Sequence, residues 1–97
     1  MRERDIEKWL RHQIESMGGL GFKFSSPGND GVPDRLAVLP GGAIYFIELK
    51  TDRGRLTPIQ RWQQDRLRQL GVNVAVIKGM DEAAEFIEEV RDAIQTT

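Results

Sequence analysis

Gly31-Val32-Pro33-Asp34-Arg35-Leu36-Ala37-Val38-Leu39-Pro40-Gly41-Gly42-Ala43-Ile44-Tyr45-Phe46-Ile47-Glu48-Leu49-Lys50 is the stretch whose reading decides the fold. Arg35 to Leu39 and Ala43 to Leu49 are rich in β-formers, and Pro40-Gly41-Gly42 between them is a turn signal. A three-residue loop sets Leu39 opposite Ala43, Leu36 opposite Phe46 and Asp34 opposite Glu48. Directly opposed residues of an antiparallel pair share a face. Lys50, two residues beyond Glu48, leaves on that face too. A two-residue loop would slip the register by one and break the alignment. The three-residue reading thus gathers two carboxylates and a lysine at one end of a hairpin. Paired carboxylates repel unless a positive charge lies between them, and a divalent cation with oxygen ligands is the usual answer. The lysine beside them can hold a nucleophilic water or stabilise charge on a phosphate. The competing reading is a surface hairpin end with an ordinary Glu-Lys pair and a Pro-Asp turn. The short motif alone does not decide between the two.

Outward from the hairpin, 97 residues make one small domain, residues 1–97, with room for one modest core. Without cysteine there is neither a disulfide framework nor a thiolate metal site. No apolar run reaches membrane-spanning length and Met1-Arg2-Glu3-Arg4 leads into no signal-peptide core, so the expectation is a cytoplasmic protein. The net charge of −1 says nothing for nucleic acid, but its distribution is uneven. Lys50, Arg53, Arg55, Arg61, Arg66 and Arg68 crowd the middle of the chain, and the segment from Asp81 to Asp92 is acidic apart from Arg91.

Ile6, Trp9, Leu10, Ile14 and Met17 fall at helical spacing within Glu3–Met17, and Gly18-Gly19 ends that helix. Glu7 sits at the edge of its apolar stripe; His12, the only histidine, makes no metal site. Gly21 to Ser25 reads as a short strand, followed by a loop to Pro33. Thr57 caps a helix running to about Leu70, with Pro58 at its first position and Gln60 completing a capping box. Its expected stripe is Ile59, Trp62, Gln63, Arg66, Leu67 and Leu70. Val72 to Ile77 reads as a buried strand, parallel to Ala43–Leu49 through a right-handed crossover. Asp81 caps a last helix facing inward through Ala83, Ile87, Val90 and Ile94. The order α-β-β-β-α-β-α gives an α/β fold: one mixed four-stranded sheet flanked by helices.

This order, with Pro33-Asp34 and Glu48-Leu49-Lys50 on adjacent strands, resembles the restriction-endonuclease-like PD-(D/E)XK superfamily. More narrowly, it resembles the VRR-NUC family, the virus-type replication-repair nucleases. Gly31-Val32-Pro33-Asp34-Arg35, Ile47-Glu48-Leu49-Lys50 and Leu56-Thr57-Pro58-Ile59-Gln60 with Trp62 carry that resemblance. It implies a metal-dependent endonuclease that hydrolyses phosphodiesters in DNA. Asp34, Glu48 and the backbone carbonyl of Leu49 would bind Mg²⁺ or Mn²⁺, and Glu7 a second cation or a metal-bound water. Lys50 would position and activate the attacking water, and Gln60 would contact that water or the scissile phosphate. Family members of this small size resemble Holliday-junction resolvases acting as homodimers on branched DNA, and larger relatives cut flaps as monomers. DNA affinity would then come from Arg53, Arg55 and Arg61 of the basic segment, from Lys23 and Ser25 at the end of the first strand, or from a second subunit. No small-molecule cofactor beyond the metal and no membrane are expected. A non-catalytic DNA-binding module of the same fold is the rival reading. The intact Asp34, Glu48 and Lys50 set argues against it. Trp9, Phe22, Phe24, Trp62 and Phe86 are more large aromatics than so small a sheet readily hides, so some are expected at a contact between copies.

Overall fold

The computed structural model describes residues 1–95. Strands β2 (Arg35–Leu39) and β3 (Ala43–Lys50) form the hairpin in the three-residue-loop register, with Leu39 opposite Ala43, Leu36 opposite Phe46 and Arg35 opposite Ile47. The amide of Gly42 closes the turn onto the Leu39 carbonyl at 3.0 Å, with Gly41 and Gly42 both at positive φ. That backbone is open to glycine at little cost. β1 (Leu20–Lys23) adds antiparallel to β2, and β4 (Asn73–Lys78) adds parallel to β3, giving the order β1-β2-β3-β4. β1 begins one residue earlier and ends two earlier than expected. Phe24 still donates to the Asp34 carbonyl at 2.7 Å, but a turn from Ser26 to Asn29 then draws the chain off the sheet.

The pleat sorts the sheet into two unlike faces. Ala37, Leu39, Ile47, Leu49 and Ile77 lie on one face, which helices α1 (Glu3–Ser16) and α3 (Gly79–Gln95) cover. α1 contributes Ile6, Leu10 and Ile14, spaced one turn apart and each 1–2% exposed; α3 contributes Ala83, Phe86, Ile87 and Val90. This is the core, and its apolar burial is the main stabilising term. The start of α3 differs from expectation. The helix begins at Gly79, and the cap is the Glu82 carboxylate, which accepts the Lys78 amide at 2.8 Å. Asp81 lies instead in the first turn, where its charge complements the helix dipole.

The opposite face carries Phe22, Leu36, Ile44, Phe46, Glu48, Lys50, Val76 and Lys78, by the pairing register. Helix α2 (Pro58–Gln69) packs here against β4. Its capping box forms as read: the Gln60 amide donates to Thr57 Oγ1 at 3.2 Å, and the Thr57 amide to Gln60 Oε1 at 3.0 Å. Its apolar stripe does not bury as expected. Gln63 and Gln64 are the buried residues, while Ile59, Trp62 and Leu70 are exposed. The reason is that the N-terminal half of α2 braces a polar loop rather than an apolar sheet. Gln63 Nε2 donates to the Asp30 carbonyl at 3.0 Å. Of the five aromatics, Phe86 is buried, Trp9 and Phe24 are partly buried, and Phe22 and Trp62 remain 50% and 52% exposed. Arg66 lies 4.4 Å over the Trp62 ring.

Candidate active site

The C-terminal half of β3 carries Glu48 and Lys50 on the α2 side of the sheet, beside the entry of the chain into β2 at Asp34. Pro33 is fully buried and ends the loop 25–33 against the fold. Gly31 shows why that loop seats where it does. Its φ is +86°, and a Cβ there would come within 2.7 Å of the Ile59 carbonyl oxygen and 3.0 Å of the Gln60 nitrogen. Only glycine permits this close approach to the first turn of α2. Together with the Gln63–Asp30 bond it ties Asp34 to the helix that carries Gln60.

Glu48 is 6% exposed, an unusual position for a carboxylate. Burial, and after it the negative charge of Asp34, hold its carboxyl above the ordinary value of 4.5. Lys50, whose Nζ lies 3.9 Å from Glu48 Oε2, opposes the shift and does not cancel it. Asp34 is 60% exposed and accepts a 2.7 Å hydrogen bond from Arg35 Nη1 through one oxygen. Among the described residues, the buried Nε of Arg35 has no hydrogen-bond partner.

Of the α1 carboxylates, Glu3 adds to the negative field on Glu48. Glu7, one turn later, is instead 4.0 Å from Arg11 and lines a small cavity with Arg35, Ile47 and Leu36. Sequence reasoning passed over Glu3. The signal was its one-turn spacing from Glu7, which puts both on the same side of α1. Gln60 has its Oε1 engaged in the capping box. Among the described residues no three His, Asp or Glu side chains converge into a ready metal cage. Asp34 and Glu48 are the two carboxylates that could hold a cation here. Hard oxygen ligands in a net negative, partly buried setting suit Mg²⁺ or Mn²⁺, which commonly take one or two carboxylates and complete their shell with substrate phosphate and water.

Basic groups flank the carboxylates on two sides. Lys23, Phe24 and Ser25 line a cleft with Asp34 and Arg35. Arg53, Gly54, Arg55 and Arg61 line another, of about 550 Å³, which also takes in Asp52 and Lys78. Lys78 was not singled out from sequence. Its register partner across the parallel pair is Lys50, a fact the crossover alone supplies. A surface cavity of about 590 Å³ around Trp9 and His12 includes none of Asp34, Glu48 or Lys50.

No family model matches the chain. A protein of Acyrthosiphon pisum secondary endosymbiont phage 1 described as "Putative nuclease p44" is 44% identical over 81 residues, 84% of this chain and 87% of that protein. A solved structure described as a VRR_NUC domain superposes with a TM-score of 0.83 at 34% identity, covering 89% of this chain and 94% of that one. A second, described as a VRR_NUC domain protein, gives a TM-score of 0.71 at 18% identity over 92% of this chain and 87% of that one, a likeness of fold.

Proposed function

Because the chain belongs to the VRR-NUC family, we propose that it is a nuclease whose finer identity is a Mg²⁺- or Mn²⁺-dependent endodeoxyribonuclease, acting as a homodimer on four-way DNA junctions. The observation that carries this reading is the buried Glu48, raised in pKa by burial and by Asp34, with Lys50 3.9 Å away. A structural ion pair has no need of the second carboxylate, whose charge works against it. A hydrolytic site for phosphodiesters uses all three.

Asp34, Glu48 and the Leu49 carbonyl are the groups assigned to hold the cation. When bound, the cation supplies the charge that polarises a phosphoryl oxygen and acidifies water. The chain's own residues do the rest. Lys50 positions the attacking water and offsets charge that develops on the phosphate. The water oxygen bonds to phosphorus and gives up a proton to solvent, the ester P–O bond breaks, and the departing oxygen takes up a proton from solvent. Gln60 keeps its amide N–H₂ free while Thr57 occupies Oε1, so it can donate to the phosphate or the water without giving up its cap. Glu7 is assigned a second cation or a water bound to it, with Glu3 the competing candidate from the same helix. Lys23 and Ser25 on one flank, and Arg53, Arg55 and Arg61 on the other, are assigned to the DNA backbone.

The test is a cleavage assay across duplex, single strand, flap, splayed arm and four-way junction, with Mg²⁺ and with Mn²⁺. The expected result is metal-dependent cutting, strongest on the junction. Absence of cutting on every DNA with both metals would leave the fold as a binding module. Preference for flaps would keep the nuclease and remove the junction assignment.

A further inference from the structure

The cleft beside Lys50 has a feature that the catalytic assignments do not use. Among the described residues, Arg2, Arg11, Arg35, Lys50 and Arg68 each have a carboxylate at ion-pair distance. Of the basic residues that have none, Arg53, Arg55, Arg61 and Lys78 line one cleft, together with Asp52. Asp52, Asp81 and Glu82 share cavities with Lys78, and among the described residues none of them is at ion-pair distance from it. Glu82 spends its carboxylate on the Lys78 main-chain amide. The Asp52 carboxylate packs where a Cβ on Gly79 would overlap it. Asp81 lines an adjoining cavity with Lys78, Asp52, Met80 and Glu82.

The cleft is also built rather than incidental. Gly54 donates to the Thr51 carbonyl at 2.9 Å, and a Cβ on it would sit 2.9 Å from the Lys50 Cβ. The loop carrying Arg53 and Arg55 is therefore pressed onto the catalytic lysine at Gly54 and onto the β4–α3 junction at Asp52. Lys78 is one strand over from Lys50 on the same face, about 4.8 Å away along the hydrogen-bonding direction. The two lysines thus leave the same face of the sheet from neighbouring positions.

Resting on the nuclease reading, we propose that this cleft is a second phosphate subsite, in which Lys78 holds the phosphodiester next to the scissile one. The substrate strand then runs from Lys50 into the cleft, and its register over Glu48 is set by two phosphates rather than one. Lys78 is a positioning residue, with no part in bond cleavage.

The test uses whichever DNA the wild type cuts in the assay above. Lys78→Gln should weaken binding several-fold and flatten the salt dependence by about one unit in log–log slope, while Lys78→Arg stays near wild type. Lys8→Gln, which removes an exposed α1 lysine without an ion-pair partner among the described residues, should change neither. A single uncharged methylphosphonate at the linkage flanking the scissile phosphate should weaken wild-type binding by the same factor as Lys78→Gln, with no further loss when the two are combined. Independent, multiplying losses would overturn the proposal, as would an unchanged salt slope in Lys78→Gln. If Lys78→Gln fails to fold by circular dichroism, wild-type tolerance of a methylphosphonate on both sides of the scissile phosphate has the same force. A wild type that neither binds nor cuts any DNA would fail the nuclease reading instead.

Discussion

At the scale of single residues, Glu48 concentrates the chemistry. Asp34→Asn, Glu48→Gln and Lys50→Ala should each abolish cleavage while circular dichroism stays native; normal rates in all three would refute the site. Glu48→Gln carries a second expectation in metal-free protein. The carboxyl is held above 4.5 when folded, by burial first and by Asp34 second. Between 4.5 and that raised value the folded chain keeps a proton the unfolded chain has released. Raising pH through this window weakens the fold, and below it the effect is absent. Thermal denaturation of Glu48→Gln should therefore show a midpoint equal to or above wild type at neutral pH, with the difference shrinking as pH falls. A second comparison separates Glu3 from Glu7. Direct titration of Mn²⁺ into Glu3→Gln and Glu7→Gln will identify which α1 carboxylate contributes to cation binding. The field on Glu48 favours a larger loss of affinity for Glu3→Gln.

Among the elements, the hairpin was legible in its strands, and the three-residue loop preferred over a two-residue one gives the register that buries Ala37, Leu39, Ile47 and Leu49 together. α2 was legible in its ends and misread in its face. A capping box is local chemistry between Thr57 and Gln60, whereas which side of a helix is buried depends on what it meets. α2 meets the loop 25–33, and so Gln63 goes inside, bonded to the Asp30 carbonyl. Gly31 is the hinge of that arrangement. Gly31→Ala should cost about 1–3 kcal/mol, from positive φ and from overlap with the Ile59 carbonyl. Cleavage should fall beyond the loss of folded protein, because Asp34 moves with the loop. Urea denaturation and single-turnover rates measured side by side would show it; wild-type stability would mean that the loop seats elsewhere.

For the whole molecule, the proposed homodimer turns on the surface left uncovered. α1 and α3 close one face of the sheet, but α2 leaves Leu20, Phe22 and Ile44 exposed on the other, and exposes Ile59 and Trp62 itself. Light scattering should report a dimer, and dimers mixed from wild-type and Lys50→Ala subunits should nick a junction without resolving it. A strict monomer would remove the junction assignment and leave the nuclease. Sequence by itself determined the order of elements, the mixed sheet, the register that sets Asp34 near Glu48 and Lys50, and the family. All of these follow from local turn chemistry, from alternation along strands and from motifs contiguous in the chain. Tertiary structure alone decided that Glu3 adds to the negative field on Glu48, that α2 buries glutamines, and that Lys78 stands beside Lys50. Each of those depends on how an element is rotated or docked against another distant in sequence, and that is settled by the packing of the whole core.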